Sequence, residues 1–590
     1  MSTRYWQDVE PALLPSGEIL HAERASKVHE TFTHDADLIV RGAVYTMDVA
    51  RPLAEAFAVR DGKVAAVGDL SEMMALAGPR TRVTHTGDGM VMPGIVDVHS
   101  HVGFGGQAAA WELPLPPTFG PYEILRAVSD WAEGLGPDDW VVGGTVISPV
   151  FHAMGTREML AALDKASQGR PVMLRDDSLR HRWVNSRALE ILGADALSID
   201  PVGGSYLRDA LGPVGLLFGQ ASTGAELAAR QSIGDWQGRD LRSARTAVKI
   251  LSAAGITATQ DAATMGAWLD VFGELDRTGQ LNAWIVGSMP AREFIESGPT
   301  GPALFDTAAA RRSAHVRPDF VKAILDGVPM TRTSKFLEPY KPDPSPVSGE
   351  SSGLHCPFHG SGLFTDEELH QVLEAALSRG LNVKLHATGD GAVRQALDAT
   401  QRMRERYGNG PLFHIAHPEF VHPDDVSRFA ELHVIADASP ALWFPGPLNA
   451  LIGRHVSDHY LDRIWPFAEL HAAGALIAAG SDWPLAAPAP DPWLSMEAMV
   501  TRRGVDLAFP GTLARRQAIS LGAAIAAHTV NAAWAAGLAN VTGRLTPGMS
   551  ADFVIVDRDL FTVPVDEIHA TQVKETWFNG RLVHEATAGG

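Results

Sequence analysis

The fold is decided by the stretch Met92-Pro93-Gly94-Ile95-Val96-Asp97-Val98-His99-Ser100-His101, which a glycine-rich segment follows. A short apolar run of this kind indicates a buried strand. Residues two apart on a strand point to the same side, so His99 and His101 can reach one point at its end. Converging imidazoles suit a borderline divalent metal such as zinc. The alternative is that the two histidines simply flank a turn.

Composition places the chain among globular proteins. It has 590 residues, of which 45% are apolar and 20% charged, and its net charge is −20. This acidic balance argues against binding to nucleic acid or to an anionic membrane. The single cysteine, Cys356, excludes an intrachain disulfide and a cysteine metal cluster. Because we find neither an apolar signal core nor a run approaching the ~20 residues of a membrane span, we expect a cytoplasmic protein.

Short strands occur near both ends of the chain. Residues 38–47 predict one hairpin with a turn at Arg41-Gly42, and residues 56–68 predict a second about Asp61-Gly62. Strand patterns return at 551–557 and 573–583. The simplest arrangement is one small β-sandwich domain built from residues 36–92 and 540–590. Residues 1–35 show no periodicity and are expected to form an N-terminal extension.

The region between these ends, 93–539, alternates helical patterns with short apolar strands. Its clearest unit predicts a helix from Thr365 to Gly380 and then a strand over 382–386. Repetition of such units predicts an α/β fold, a distorted (β/α)8 TIM barrel with its active site where the strands run into their loops. The segments 102–165 and 331–362 break the pattern, and we predict that they form lid loops.

Polar residues recur at the ends of these apolar strands. Lys322 lies within one strand, and His386, His417 and Asp482 each fall at the end of another. Singly, each has an ordinary explanation: a core histidine, a turn residue with His414 as its rival, or a helix N-cap. A lysine inside a barrel is costly unless it is paired or chemically altered. Their order along the chain favours one shared site.

These residues resemble the metal-dependent amidohydrolase superfamily, specifically the branch called amidohydrolase family 3, which includes the N-substituted formamide deformylases. Further matching motifs lie at 181–186, 255–261 and 543–552. The resemblance covers nearly the whole chain after about residue 36. It implies a β/α barrel with a terminal β-sandwich that holds one or two divalent metals, usually zinc.

The resemblance also implies a ligand set. His99, His101 and Asp482 would hold the first metal, and His386 and His417 the second. Lys322 would be carboxylated by carbon dioxide and would bridge the two metals. The modification makes physical sense because it converts a costly buried cation into an anionic bidentate ligand. The alternative is an unmodified lysine and a single metal.

The implied chemistry starts from a metal-bound water whose pKa falls to about 7, which yields hydroxide at neutral pH. Asp482 would accept the proton and pass it to the departing nitrogen. His181 is a candidate donor to the developing oxyanion, or else a structural turn residue. Gly103, Gly105 and Gly106 are predicted to let the backbone pass close to the substrate.

Departures from the family pattern bear on the substrate. Family members often carry an arginine near the His417 motif, which is absent here, and the histidine expected after Pro440 is absent too. These losses put the recognition of a charged substrate group in doubt. Five aromatic residues could form an apolar wall instead, or could be core packing: Trp183, Trp443, Phe444, Trp483 and Phe336.

The sequence therefore predicts a hydrolase of a non-peptide, amide-type C–N bond in a small molecule with an aromatic or apolar N-substituent. Deformylation of an N-substituted formamide is the specific version, and hydrolysis of a carbamate, urea or anilide is chemically equivalent at this level. A ring deaminase with a single metal and a catalytically silent scaffold are the other two classes. We expect a homodimer.

Overall fold

In the computed structural model, the described residues fall in six ranges: 35–116, 118–176, 179–293, 298–342, 358–485 and 487–587. The predicted N-terminal extension thus lies outside the described residues, apart from residue 35. The same holds for positions 343–357 of the second predicted lid.

The strands, in chain order, are β1 Leu38–Tyr45, β2 Leu53–Arg60, β3 Lys63–Gly68, β4 Arg82–Pro93, β5 Ile95–Ser100, β6 Leu113–Pro114, β7 Val141–Val146, β8 Val172–Asp176, β9 His181–Val184, β10 Gly204–Asp209, β11 Gly212–Gly219, β12 Ile256–Asp261, β13 Trp284–Pro290, β14 Val316–Ile324, β15 Asn382–His386, β16 Phe413–Ala416, β17 Val434–Ala438, β18 Ile477–Ala479, β19 Phe553–Val556, β20 Val573–Phe578 and β21 Arg581–Glu585.

The α-helices are α1 Leu70–Met74, α2 Val102–Trp111, α3 Pro121–Ala132, α4 Ser148–Ala153, α5 Arg157–Ala166, α6 Ser186–Ile191, α7 Gln220–Gln231, α8 Trp236–Ala253, α9 Gly266–Arg277, α10 Pro302–Phe305, α11 Ala308–Arg311, α12 Asp366–Leu377, α13 Asp390–Tyr407, α14 Val426–Glu431, α15 Pro447–His455, α16 Asp458–Leu461, α17 Phe467–Ala472, α18 Pro492–Thr501, α19 Leu521–Ala527 and α20 Val530–Ala535. Short 3-10 helices occupy Pro329–Thr331, Pro423–Asp425, Pro440–Leu442, Arg515–Gln517 and Val565–Ala570.

Eight strands form a parallel sheet that closes almost completely into a barrel. Their order is β5, then β12 to β18 in sequence. Neighbouring strands are in register such that Ile324, at the end of β14, pairs with His386, at the end of β15. Just after β18, the backbone N–H of Asp482 donates to the carbonyl of His99 at 2.7 Å, which joins the last strand to the first. The predicted distorted TIM barrel is confirmed.

The two ends of the chain combine in a seven-stranded sheet with the order β21-β20-β19-β4-β1-β2-β3. The predicted hairpin at Asp61-Gly62 is confirmed, with left-handed backbone at both turn residues (φ 50° and 74°). The hairpin predicted at Arg41-Gly42 is wrong, because β1 runs through these residues with a bulge. Gly42 takes up the bulge at φ 137°. The boundaries of the β domain stay a prediction.

A third sheet of six strands was not predicted. Its order is β10-β11-β9-β8-β7-β6, and it lies within the part of the chain between β5 and β12. The lid loop predicted at 102–165 is therefore wrong, because these residues form helices and strands. The sequence pattern that predicts a strand is weak in this sheet, because several of its strands are short or contain glycine, as in Val141–Val146. Leu174, Trp183 and Leu216 are fully buried in its own apolar core.

Packing against the barrel follows the predicted amphipathic pattern. The helix α12 begins after the N-cap Thr365, whose side chain accepts from the backbone N–H of Glu368. Its buried face, Leu369, Leu373 and Leu377, joins the main apolar core between the helices and the strands. Within the ranges that the structure describes, no helix is both long and apolar enough to cross a membrane.

Candidate metal centre

The six predicted ligands come together at the carboxyl ends of the barrel strands. They are His99, His101, Lys322, His386, His417 and Asp482, and all of them line one cavity of about 120 Å³. Each lies in a strand or just after it, because parallel strands of a barrel present their carboxyl ends to the same side. All six side chains are largely withdrawn from solvent.

The chemistry of this donor set fits a divalent cation. The Oδ1 atom of Asp482 lies 3.5 Å from Nε2 of His101 and 3.8 Å from Nε2 of His99. It is buried, and none of the described residues donates a hydrogen bond to it. A buried carboxylate oxygen is normally paired, so an unpaired one among imidazole nitrogens indicates a place for a metal.

The closest group of three donors is His99, His417 and Asp482, whose ligand atoms all lie within 4.8 Å of one another. This group takes members from both of the expected ligand sets. His386 is turned so that its Nε2 atom lies 3.1 Å from the carbonyl oxygen of Gly327. The division of ligands between two metals therefore stays a prediction.

A buried ion pair between Asp437 and Lys384 contacts the Nδ1 side of His99. The Nδ1 atom of His99 lies 3.1 Å from Oδ2 of Asp437, and the same carboxylate oxygen contacts Nζ of Lys384. Lys384 also donates to the carbonyl of Val98 at 2.8 Å. Burial raises the pKa of Asp437, but Lys384 and His99 offset this effect and hold it well below its ordinary value. The carboxylate stays ionised and directs Nε2 of His99 into the cavity.

Burial also keeps the ligands in their metal-binding form. It lowers the pKa of His417 to about 4 and that of His386 well below the ordinary value, so both imidazoles are neutral. Burial, followed by repulsion from Lys384, lowers the pKa of Lys322 to about 7. The Nζ atom of Lys322 lies 3.4 Å from Nε2 of His99. A substantial fraction of this amine is therefore neutral at physiological pH.

Two of the ligands have left-handed backbone, which is uncommon for residues other than glycine. The φ angles are 57° for His417 and 54° for Asp482. The N–H of His417 donates to the carbonyl of Asp437 at 3.0 Å, and that of Asp482 donates to His99. Such conformations cost about 1–3 kcal/mol each and persist where the surrounding structure fixes them, typically at functional sites.

The rest of the cavity lining is aliphatic, with one cation. The aliphatic residues are Ile324, Val328, Met330, Leu442, Leu448 and Leu485. The cation is Arg180, which donates to the carbonyl of Asp326 at 3.1 Å. Arg180 was not predicted, although it stands directly before the His181 motif; only that neighbourhood could have indicated it.

The predicted aromatic wall is not found in this cavity. Trp183 and Trp443 are fully buried in apolar cores, and Phe336 packs edge-on against neighbouring aromatic rings. Trp483 is buried, and Phe444 lies partly buried against Gly504. None of the five is among the described residues that line the cavity. Sequence position alone could not show which side of each strand end these rings face.

His181 lies apart from the cluster of ligands, at the start of β9. Its backbone N–H donates to Oδ1 of Asp176 at 2.9 Å, and its buried Nδ1 atom has no hydrogen-bond partner among the described residues. It lines a second cavity of about 360 Å³, which shares Arg180, Lys322 and Ile324 with the first. The imidazole can therefore approach a group held at the boundary of the two cavities.

The glycines after His101 have a packing role, and the prediction that they let the backbone pass close to the substrate stays a prediction. They lie on the buried face of α2. A Cβ atom on Gly103 or Gly105 would come within 2.4 Å of the rings of Trp268 and Trp483 respectively. On Gly106 it would lie 2.2 Å from the carbonyl of Ser243 on α8. These glycines let α2 approach its neighbours closely.

The model of the amidohydrolase family matches residues 86–584. The chain belongs to the amidohydrolase family. This membership agrees with the family resemblance inferred from the strand-end residues, and it makes this amidohydrolase a hydrolase that acts on C–N bonds.

Relatives of similar sequence match this chain over nearly their whole length. An N-substituted formamide deformylase of Arthrobacter pascens is 25% identical over 93% of this amidohydrolase and 98% of the relative. The protein LONG AFTER FAR-RED 3 of Arabidopsis thaliana is 26% identical over 93% and 92%. A metal-dependent hydrolase of Pyrococcus horikoshii has the same fold, with a TM-score of 0.67 at 22% identity, over 90% of this chain and 99% of the other.

Proposed function

We propose that this amidohydrolase cleaves a non-peptide C–N bond in a small molecule that carries an apolar N-substituent. The observation that carries the proposal is the first cavity, where six aliphatic side chains and Arg180 line the space beside the candidate metal ligands. Water is consumed, the carbonyl–nitrogen bond breaks, and a carboxylic acid and an amine are released. Aliphatic walls favour an apolar group by removing it from water.

N-substituted formamides are the specific version of this substrate class. The support is the name of the Arthrobacter pascens relative, at 25% identity. Carbamates, ureas and anilides contain the same kind of bond and remain alternatives. A ring deaminase with one metal would use the same donors and release ammonia. A silent scaffold is disfavoured because none of the six donors is missing.

The residues have separate tasks in this reaction. His99, His101, His386, His417 and Asp482 would hold the metal, which when bound activates water and polarises the carbonyl. Asp482 would accept the proton of the attacking water on the carboxylate oxygen that does not hold the metal, and would return it to the departing nitrogen. The burial of the cluster excludes bulk water, so each of these interactions is stronger than it would be in solvent.

Lys322 is proposed to be carboxylated. A neutral lysine amine adds to carbon dioxide to give a carbamate and one proton, and the lowered pKa of about 7 makes the neutral amine available. The carbamate would place two oxygens among the donors where the free amine has none to offer. Its negative charge also removes the repulsion between Lys322 and Lys384.

The test is a substrate screen with the metal-loaded enzyme. The N-butyl formamide, carbamate and urea, together with a formanilide, are compared with ring amines, and released amine, acid, carbon dioxide and ammonia are measured separately. We expect amine with an equimolar amount of acid from an amide, or of carbon dioxide from a carbamate or urea, with kcat/KM rising as the N-alkyl chain lengthens from methyl to butyl. Release of ammonia from ring amines, with no turnover of any amide, would overturn the proposal.

A further inference from the structure

The second cavity adjoins the first and shares three lining residues with it. It lies between the six-stranded sheet and the barrel, and at about 360 Å³ it is larger than the first, at about 120 Å³. Arg180, Lys322 and Ile324 line both cavities and so form their boundary. A molecule whose reacting bond lies at this boundary has room for one arm on each side.

The proposed catalytic residues indicate which cavity receives the nitrogen side of the bond and which receives the carbonyl side. Asp482, which returns a proton to the departing nitrogen, lines the first cavity and is not among the described residues that line the second. His181, the candidate donor to the carbonyl oxygen, lines the second cavity and is not among the described residues that line the first. The nitrogen side of the bond therefore faces the aliphatic cavity, and the carbonyl side faces the larger one.

The lining of the second cavity combines apolar side chains with cations. Pro290, Leu363 and Phe364 are apolar, and Arg180 and Arg292 contribute guanidinium groups. Among the described lining residues, Glu293 is the single acid. Arg180 is the more deeply placed arginine, since Arg292 is half exposed and pairs with Glu368 at 2.9 Å. An arm that has methylene groups and ends in a carboxylate therefore matches this mixed, cationic lining better than a wholly apolar arm does.

We propose that the second cavity binds the acyl arm of the substrate and that this arm ends in a carboxylate. The inference rests on the proposed function, because it takes amide hydrolysis at the metal centre as given. It narrows the substrate class, since a formamide has only a hydrogen atom on its carbonyl carbon and would leave the second cavity without an occupant. The residues that select the arm come from the six-stranded sheet and its connections as well as from the barrel.

The substrate test uses four amides with the same N-butyl group: the formamide, the pentanamide, the half-amide of succinic acid, and the methyl ester of that half-amide. We expect the half-amide to have at least ten-fold higher kcat/KM than the other three. Equal or higher values for the formamide, or equal values for the half-amide and its ester, would overturn the inference. Turnover of none of the four would instead overturn the proposed function.

Larger side chains placed in each cavity test which cavity holds which arm of the substrate. Ala263 lines the second cavity, and Ala263→Leu should lower the half-amide to formamide ratio of kcat/KM at least ten-fold. Ala309→Leu, at an exposed position on α11, is the matched control and should leave the ratio as in the wild type. Leu448 lines the first cavity, and Leu448→Phe should instead lower the butyl to methyl ratio on the nitrogen side.

Charge variants test the carboxylate. Arg180→Met should abolish the preference for the half-amide over its methyl ester, and Arg180→Lys should retain part of it. Melting temperatures of both variants verify that each is folded. If folded Arg180→Met keeps the full preference, or if Ala263→Leu lowers kcat/KM for all four amides by the same factor, the inference is wrong.

Discussion

The Nδ1 atom of His99 lies 3.1 Å from Oδ2 of Asp437, inside the barrel and directly below the metal donors. Both side chains are buried, with relative exposures of 1% and 0%. The carboxylate fixes the imidazole with its proton on Nδ1, so that the Nε2 lone pair faces the cavity. Lys384, equally buried, supplies the counter-charge that keeps Asp437 ionised.

Asp437→Asn should weaken metal binding by about 10- to 100-fold, because His99 loses the carboxylate that orients it. The variant should also lose stability, by about 3–5 kcal/mol, because Lys384 remains buried without its partner. Metal competition titrations and urea unfolding measure the two effects. Adding Lys384→Met should recover stability without recovering metal affinity. Wild-type metal affinity in Asp437→Asn would contradict the positioning role.

Asp482→Asn should lower kcat by about 10²- to 10⁴-fold, because the amide cannot accept and return a proton. Metal content should stay largely intact, since the amide retains an oxygen ligand. Rates and metal stoichiometry are measured on the same sample. The control is Asp566→Asn, an exposed position far along the chain in a 3-10 helix. An undiminished rate in Asp482→Asn would rule out the proton-transfer role.

Lys322→Ala should lose activity, because the carbamate proposed for this lysine is lost with it. Short carboxylic acids such as propionate should restore part of the rate by supplying two oxygens at the same place. Wild-type enzyme prepared with ¹³C-labelled bicarbonate should show a carbamate carbon resonance that Lys322→Ala lacks. Full activity of Lys322→Ala without added acid would show that the bridging carbamate is not needed.

The metal-free protein should show a pH dependence that originates at Lys322. Burial and then Lys384 lower its pKa from 10.5 to about 7. Between these two pKa values the unfolded chain binds more protons than the folded chain, so the free energy of unfolding rises with pH. The destabilisation by the buried ammonium group is fully present below about pH 7. Lys322→Met should therefore be more stable than wild type, by a few kcal/mol at pH 7. Urea unfolding in CO₂-free buffer should show the difference shrink by pH 10, and a pH-independent difference would contradict the shift.

The barrel and the convergence of the six polar residues were predictable because the signals are local. An apolar run that ends in a histidine, lysine or aspartate indicates a buried strand and shows where its polar end lies. The strand β15, which ends at His386, is an example. Parallel β/α repetition then places these ends on one side. The hairpin at Asp61-Gly62 was predictable for the same reason, since the turn residues themselves carry the information.

The features that could not be predicted from the sequence depend on contacts between residues that are far apart along the chain. Lys384 and Asp437 stand inside apolar strands, and only the barrel's closure shows that they pair beneath His99. The six-stranded sheet was missed because β6 has two residues and β9 four. Arg180 belongs to that insertion, so its place beside the metal donors could not be predicted without it. The homodimer and the cytoplasmic location stay predictions.

The most direct test of the account follows acid and amine release from the N-butyl amides while the metal is removed and returned. Chelator-treated enzyme should contain no metal and release neither product, and added zinc should restore the rate in proportion to the metal bound. The same titration with Asp482→Asn should restore metal content without the rate. Unchanged amide hydrolysis by enzyme shown to be metal-free would contradict the central claim.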